Sequence, residues 1–390
     1  MDAGAFNFEN NAAYLKWIRD MVQAQNEKGE LPGIVPTSGW GYGKWSGPSW
    51  ELALFVVPWS LYTFSGDTRG LEIAWPAQER YLAHLKSIEK DGIVDVGLGD
   101  WVPWKTKTPV AITSTASYRW AAHLAAKTAK ALMKPAKEKE YNTLADHITQ
   151  GFQRAFVNAT TGQVGSDEQT ALAVAITHEL VPQTLRATVA TRLIASLEKT
   201  DFHPDTGVIG AKALLRALAD TGHMDVAYKV ASRRTAPSWG YWIDQGATTL
   251  WEDWKGNDSR NHIFFGDIDA WYFEYLAGIK PNDQHPGFAH VLLAPHTPSG
   301  LDRVEAHVTT VRGSVGSQWE RRGNDIRFSF QVPPSAKATI RIPAEAGTTA
   351  LFNNRPILSV PELHAKALPE GGWEFEATAG RYSVLTGGAR

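Results

Sequence analysis

No cysteine occurs among the 390 residues, which excludes disulfides, thiolate metal sites and a cysteine nucleophile. Charge of one sign is also missing. Lys+Arg total 39 against Asp+Glu 41, a formal net charge of -2, and no block of like charges is long enough to draw nucleic acid or an anionic membrane. Nowhere does the chain hold the roughly eighteen consecutive apolar residues of a membrane-spanning helix. The opening MDAGAFNFENNAAYLKW has neither the basic start nor the apolar core of a leader. Several catalytic signatures are absent: no G-x-S-x-G, no H-E-x-x-H, no phosphate-binding glycine loop, and the 12 histidines lack metal-ligand spacing. No metal site is expected, and nothing in the sequence sets an oligomeric state.

Tryptophan, by contrast, is abundant. Sixteen are present, many beside Gly, Pro, Asp or Glu, which suggests an aromatic wall facing a polar ligand. From Phe6 to Ile279 the helical period dominates. Tyr14, Leu15, Trp17, Ile18, Met21 and Val22 share one face, and Tyr141, Leu144, Ala145, Ile148 and Phe152 another. Roughly ten such segments follow one another. Loops rich in Gly, Pro and Trp at 32–48, 92–109 and 237–246 alternate with short connections such as 220–223, as in a barrel of helical hairpins with one functional rim. After Pro281 the period changes to two: 290–293, 304–311, 315–319, 326–332, 338–342, 373–377 and 382–385 read as strands of a β-sandwich. The expected domains are therefore 1–280, helical, and 281–390, all β.

Three clusters could carry chemistry. The densest runs from Ser238-Trp239-Gly240-Tyr241-Trp242 through Gly246-Ala247-Thr248-Thr249-Leu250-Trp251-Glu252-Asp253-Trp254 to Asn261-His262 and Phe264-Phe265-Gly266-Asp267. A carboxylate between two indoles near a glycine turn has surroundings that tune a pKa and grip a sugar face. The plainer alternative makes Glu252 a surface helix residue with Trp251 and Trp254 in the core. In the second cluster, Gly99-Asp100-Trp101 with Trp104, Asp100 is placed to bond sugar hydroxyls while Trp101 stacks on the ring. A helix N-cap is the competing role for Asp100. The third cluster, Trp45-Ser46-Gly47-Pro48-Ser49-Trp50-Glu51, opens an apolar helix, and a helix dipole explains an acidic first turn there.

At these residues the sequence resembles glycoside hydrolase family 78, the bacterial α-L-rhamnosidases. The likeness begins at Ala5-Phe6-Asn7-Phe8 and Tyr14-Leu15-Lys16-Trp17. It continues through Val35-Pro36, Gly47-Pro48-Ser49-Trp50, Val57-Pro58-Trp59, Gly99-Asp100-Trp101, Thr206-Gly207, the GATT-x-W-E run ending at Glu252, and Asn261-His262. Tyr275 to Ile279, Pro286-Gly287-Phe288 and Val332 to Pro334 resemble the family's passage into its C-terminal domain. The resemblance implies an (α/α)6 barrel, incomplete at its N-terminus, followed by an antiparallel β-sandwich. It implies release of terminal α-L-rhamnose with inversion and no cofactor, with Glu252 as general base and His262, Asp100, Trp101 and Trp50 against the sugar. The expected partner is a rhamnosylated small molecule or oligosaccharide, not nucleic acid or a membrane.

The family's acid motif, of the type D-x-P-x-R-x-E-R-x-G-W-x-x-D, precedes its Ala-Phe-Asn-Phe region. It is expected upstream of Met1, as is any leader, which leaves the compartment open. Glu51 is then the substitute acid to consider beside Asp100. Two further readings compete: a remnant that binds sugar on Trp50 and Trp101 without turnover, and another glycosidase, phosphorylase or lyase on the same barrel. A phosphorylase needs a basic phosphate pocket, and no Arg or Lys lies between Gly240 and Trp254.

Overall fold

A computed structural model describes residues 2–43, 45–345, 348–369 and 371–388. The chain packs into two compact units, one formed by residues 12–59 and 68–268 and the other by 2–11, 60–67 and 269–390.

The first unit is built from helices of two kinds. Val110–Ala131 is buried on nearly every side, as its Ala, Ser and Thr content allows. Gln169–Thr177 is buried along its whole length, and Val208–Asp220 over most of it. These inner helices pack on one another, with Gln169–Thr177 touching both others. Outside them lie amphipathic helices: Pro135–Phe156 against Val110–Ala131, Arg186–Glu198 against Gln169–Thr177, and Met224–Ala231 against Val208–Asp220. The outer helices show the stripe read from sequence. Tyr141, Ala145, Ile148 and Phe152 are buried in Pro135–Phe156, and Leu15, Ile18 and Met21 in Asn11–Ala24. The 220–223 connection closes one hairpin within a single turn. Among the described residues no helix is long and apolar enough to cross a membrane.

One expected loop is not a loop. Within 237–246, Trp239–Asp244 is a short helix whose N-cap Ser238 accepts a hydrogen bond from the Tyr241 amide on its hydroxyl at 3.0 Å. A Ser cap supplies the missing partner at a helix start, which outweighs the Pro and Gly bracketing the segment.

The second unit holds the strands β1 (Ile279–Lys280), β2 (His290–Leu293), β3 (Arg303–Thr310), β4 (Gly313–Arg322), β5 (Asp325–Val332), β6 (Lys337–Ile342), β7 (Thr348–Phe352), β8 (Arg355–Pro356), β9 (Lys366–Ala367), β10 (Trp373–Ala377) and β11 (Gly380–Gly388). They form a five-stranded sheet, β1-β2-β6-β10-β9, and a six-stranded one, β3-β4-β5-β11-β7-β8. All pairings are antiparallel except β2 with β6, which run parallel. A parallel pair needs a long crossover, and β3 to β5 lie in that connection. The sheets share one core. Alternate residues Phe328, Phe330 and Val332 of β5 and Ala338, Ile340 and Ile342 of β6 enter it, with Trp319 of β4 and Phe375 of β10. Phe6, from the helix Asp2–Asn7, joins the same core, stacked on Phe273 at 4.8 Å and edge-on to Phe64 at 4.9 Å.

Phe328 is fully buried, so Phe328→Ala is expected to destabilise the β unit by about 3–5 kcal/mol, read from urea unfolding. A loss under about 1 kcal/mol would mean that the two sheets do not share this core.

Candidate functional site

Half of the sixteen tryptophans are buried: Trp75, Trp239, Trp242, Trp251, Trp254, Trp271, Trp319 and Trp373. The aromatic wall read from composition is corrected accordingly: a buried indole usually places its N–H on an acceptor, and three of these do so on loop carbonyls. Trp239 Nε1 donates to the Phe265 carbonyl at 3.0 Å, Trp242 Nε1 to the Trp254 carbonyl at 3.1 Å, and Trp254 Nε1 to the Thr206 carbonyl at 2.6 Å. Trp101, at 39% exposure, does face outward, as do Trp40 and Tyr42.

Those indoles fasten the loop that carries Glu252. Between Gly246 and Asp267 the chain has no regular helix, so Glu252 is not on a surface helix, while Trp251 and Trp254 do lie in the core as that plainer alternative held. The segment closes on itself instead. The His262 amide donates to the Leu250 carbonyl at 2.9 Å, the Glu252 amide to the Ser259 carbonyl at 2.8 Å, and the Thr249 hydroxyl to the Arg260 carbonyl. Inside the turn, the Asp253 carboxylate accepts from the amides of Lys255 at 2.6 Å and Asp258 at 2.8 Å. Trp251 lies under Gly256, where a Cβ would come within 2.5 Å of its ring, and the Arg260 guanidinium stands 4.7 Å from that ring. Glu252 is left half-buried, its Oε2 accepting a long 3.3 Å bond from the Ser259 amide. Its neighbour in the turn, His262, packs against Phe264 with ring centroids 3.6 Å apart, and among the described residues its Nδ1 is buried without a hydrogen-bond partner.

Asp100, expected at the sugar, is engaged here by groups of the protein itself. It is buried, and both carboxylate oxygens are occupied by the protein. Oδ1 accepts from the amides of Ile209 at 2.8 Å and Gly210 at 3.0 Å; Oδ2 accepts from the Gly207 amide at 2.7 Å and from the Thr170 hydroxyl. Four donors match a carboxylate's capacity, so no lone pair remains for a sugar hydroxyl. Burial pushes its pKa up, against these four bonds. Asp100 therefore caps the helix Val208–Asp220 from across the fold, an N-cap in function but not in sequence position. The Val208 amide donates to the Trp101 carbonyl at 3.0 Å and completes the tie.

Trp50 and Glu51 end the short helix Pro48–Glu51, in the first turn leading to Ala53–Ser65. Glu51 Oε1 accepts from the Ser46 hydroxyl at 2.8 Å and Oε2 from the Tyr81 hydroxyl at 2.5 Å. Burial raises the Glu51 pKa above the usual carboxylate value, opposed by these two hydroxyls and reinforced by Glu30. The helix-dipole account of Glu51 thus omits its strongest contacts.

The loops bearing three of the expected residues are connected. The Leu98 amide reaches the Ser46 carbonyl at 3.4 Å, and Gly47 and Gly97 approach so closely that a Cβ on either would strike the other's backbone. The 100–101 segment meets 207–210 through Asp100 and the Val208 amide, and Thr206 meets the Glu252 loop through Trp254. Lys255 Nζ stands 5.2 Å above the Trp104 ring. Thr170, Thr206, Tyr81 and Trp254 complete these joints. The first and third were invisible as partners because their bonds span many residues, whereas Thr206-Gly207 had already stood out as a motif. Among the described residues no group of three His, Cys, Asp or Glu is placed to hold a metal.

A family model described as the bacterial alpha-L-rhamnosidase 6 hairpin glycosidase domain matches residues 1–276, and one described as the bacterial alpha-L-rhamnosidase C-terminal domain matches residues 278–352. The chain belongs to the bacterial α-L-rhamnosidase family, with a six-hairpin glycosidase domain followed by that C-terminal domain. An alpha-L-rhamnosidase of Streptomyces avermitilis is 34% identical over 355 residues, 87% of this chain and 34% of that protein. One from Alteromonas sp. is 30% identical over 388 residues, 94% of this chain and 41% of that protein. Among solved structures, the Streptomyces avermitilis alpha-L-rhamnosidase complexed with L-rhamnose matches with TM-score 0.90 at 31% identity, over 98% of this chain and 37% of that one. The alpha-L-rhamnosidase from Dictyoglumus thermophilum matches with TM-score 0.90 at 27% identity, over 99% and 45%. The chain thus spans less than half the length of these relatives.

Two outcomes follow. Gly207→Ala drives a Cβ into the Trp101 and Asp100 carbonyls and is expected to cost about 1–3 kcal/mol in urea unfolding; a cost under about 0.5 kcal/mol would contradict this close approach. Because the folded-state pKa of Glu51 is raised, its ionisation works against folding. Its contribution is fully present below the unfolded carboxylate value and is lost as pH rises through the folded one. Thermal melts from pH 4 to 8 should therefore show Glu51→Gln gaining on the parent as pH rises; a constant difference would contradict the burial cost.

Proposed function

We propose that this chain supplies the base and part of the sugar-binding wall of a site that releases terminal α-L-rhamnose with inversion. The observation that carries the reading is Glu252: a half-buried carboxylate on a loop closed by backbone bonds, in a chain of the bacterial α-L-rhamnosidase family. Glu252 would take a proton from the water that attacks the anomeric carbon, while the glycosidic oxygen leaves with a proton from an acid. Inverting sites hold two such carboxyls roughly 6.5–9.5 Å apart. His262, with its unpartnered ring nitrogen, Trp50 and outward-facing Trp101 form the sugar wall in this proposal.

Glu51 is the proposed carboxyl for the acid role. Its pKa is shifted upward, the direction an acid needs, and the two carboxyls have different surroundings: Glu51 accepts from the Ser46 and Tyr81 hydroxyls, Glu252 from the Ser259 amide. The relative complexed with L-rhamnose supports rhamnose as the sugar. The substrate class proposed is a rhamnosylated small molecule or oligosaccharide.

The test pairs nitrophenyl α-L-rhamnoside, whose leaving group departs without protonation, with a rhamnosyl disaccharide, whose leaving group needs an acid. Glu252→Gln is expected to lower kcat on both by on the order of 10²–10⁴-fold. Glu51→Gln is expected to impair the disaccharide far more than the aryl substrate. Hydrolysis unchanged in Glu252→Gln would end the assignment of the base, and equal loss on both substrates in Glu51→Gln would end that of the acid.

A further inference from the structure

We infer that Asp100 and Trp254 are positioning residues that act together: they form a brace that fixes the Glu252 loop against the inner helices. The inference rests on Glu252 being the base, and the contacts that carry it are independent of that role. Asp100 holds the amide of Gly207, while the Trp101 carbonyl takes the amide of Val208. The residue just before them, Thr206, is fully buried, and its carbonyl is fixed in direction by this double tie. Trp254 Nε1 donates to that carbonyl at 2.6 Å.

Trp254 is itself immobilised. It is 1% exposed, its ring lies 4.3 Å from Phe265 and 5.1 Å from both Trp239 and Trp242, and its own carbonyl accepts from Trp242 Nε1. Only Asp253 separates it from Glu252, and the Asp253 carboxylate stiffens the following turn through the amides of 255 and 258. On the other side, Glu252 is held by the 252–259 backbone bond, which is internal to the loop. The indole bond to Thr206 is therefore a direct polar joint between this loop and the start of the inner helix Val208–Asp220. A carboxylate that must meet a water and an anomeric carbon tolerates little displacement, since misplacement by about 1 Å can cost on the order of a hundredfold in rate. The burial of Asp100 and its four bonds are then explained by the rigidity they impose on that joint.

Two measurements on the full chain test the brace. Trp254→Phe preserves an aromatic ring and removes the N–H; Asp100→Asn replaces one accepting oxygen by an NH2 group facing amide donors. In hydrogen exchange, peptides covering 249–262 are expected to exchange about tenfold faster in both variants, as for loss of one hydrogen bond, while those from Val110–Ala131 keep the parent rates. Should Asp100→Asn fail to fold, Thr170→Val, which removes one of its four donors, takes its place. On nitrophenyl α-L-rhamnoside, Trp254→Phe is expected to lower kcat about tenfold with KM within about twofold, the split that distinguishes positioning of the base from loss of sugar binding.

Unchanged exchange at 249–262 in Trp254→Phe, or a response only in Trp254→Phe and in neither Asp100→Asn nor Thr170→Val, would overturn the brace. A parent chain that does not cleave the aryl substrate, but whose 249–262 exchange rises in the variants, would sink the assignment of Glu252 and leave the brace standing. Cleavage by the parent with unchanged exchange would do the reverse.

Discussion

A polar atom taken out of water costs free energy until it finds a partner, and the placement of the irregular segments around Glu252 follows from where several such atoms find theirs. The indole N–H groups of Trp239, Trp242 and Trp254 and the carboxylate of Asp100 are all buried, and each ends on backbone belonging to a different segment. Helices alone would not fix the long segments between them, because loops carry unsatisfied backbone and few apolar contacts. Here large aromatic rings supply the apolar contacts and their single donors supply direction. Loops that would otherwise wander become parts of the packed interior, and the half-buried carboxylate of Glu252 inherits their fixed geometry.

The regular parts of the fold were legible in the sequence because they follow from periodicity. Alternation in β5 and β6 places Phe328, Phe330, Ile340 and Ile342 on one side, and the helical stripe of Pro135–Phe156 places Tyr141, Ile148 and Phe152 likewise. Short strands such as β8 and β9 escaped because two residues have no period to detect. The parallel pairing of β2 and β6 escaped because alternation sets which face is buried and says nothing of which neighbour a strand meets.

The site was legible as a set of residue types, less so as a set of roles. A Trp, a Glu and a His clustered in one stretch singled out the Glu252 loop as the candidate, and the bonds from the Glu252 amide to the Ser259 carbonyl and from the His262 amide to the Leu250 carbonyl bring those residues into one turn. Asp100 was harder, since an Asp beside a Trp suits a sugar contact and a helix cap equally. Its four donors come from Thr170 and from residues 207–210, distances along the chain at which local sequence carries no signal. Tryptophan number was likewise ambiguous between a ligand wall and an interior framework, and burial decided for the framework at half of the positions.

The contact of Gly47 with Gly97 has a consequence for how this architecture can change over generations. Each glycine leaves room for the other's backbone, and both lie in the left-handed region that disfavours any other residue. A side chain gained at one position cannot be offset by shortening the other, because neither has anything left to shed. Compensatory pairs, the usual route by which two touching positions drift together, are closed to these two.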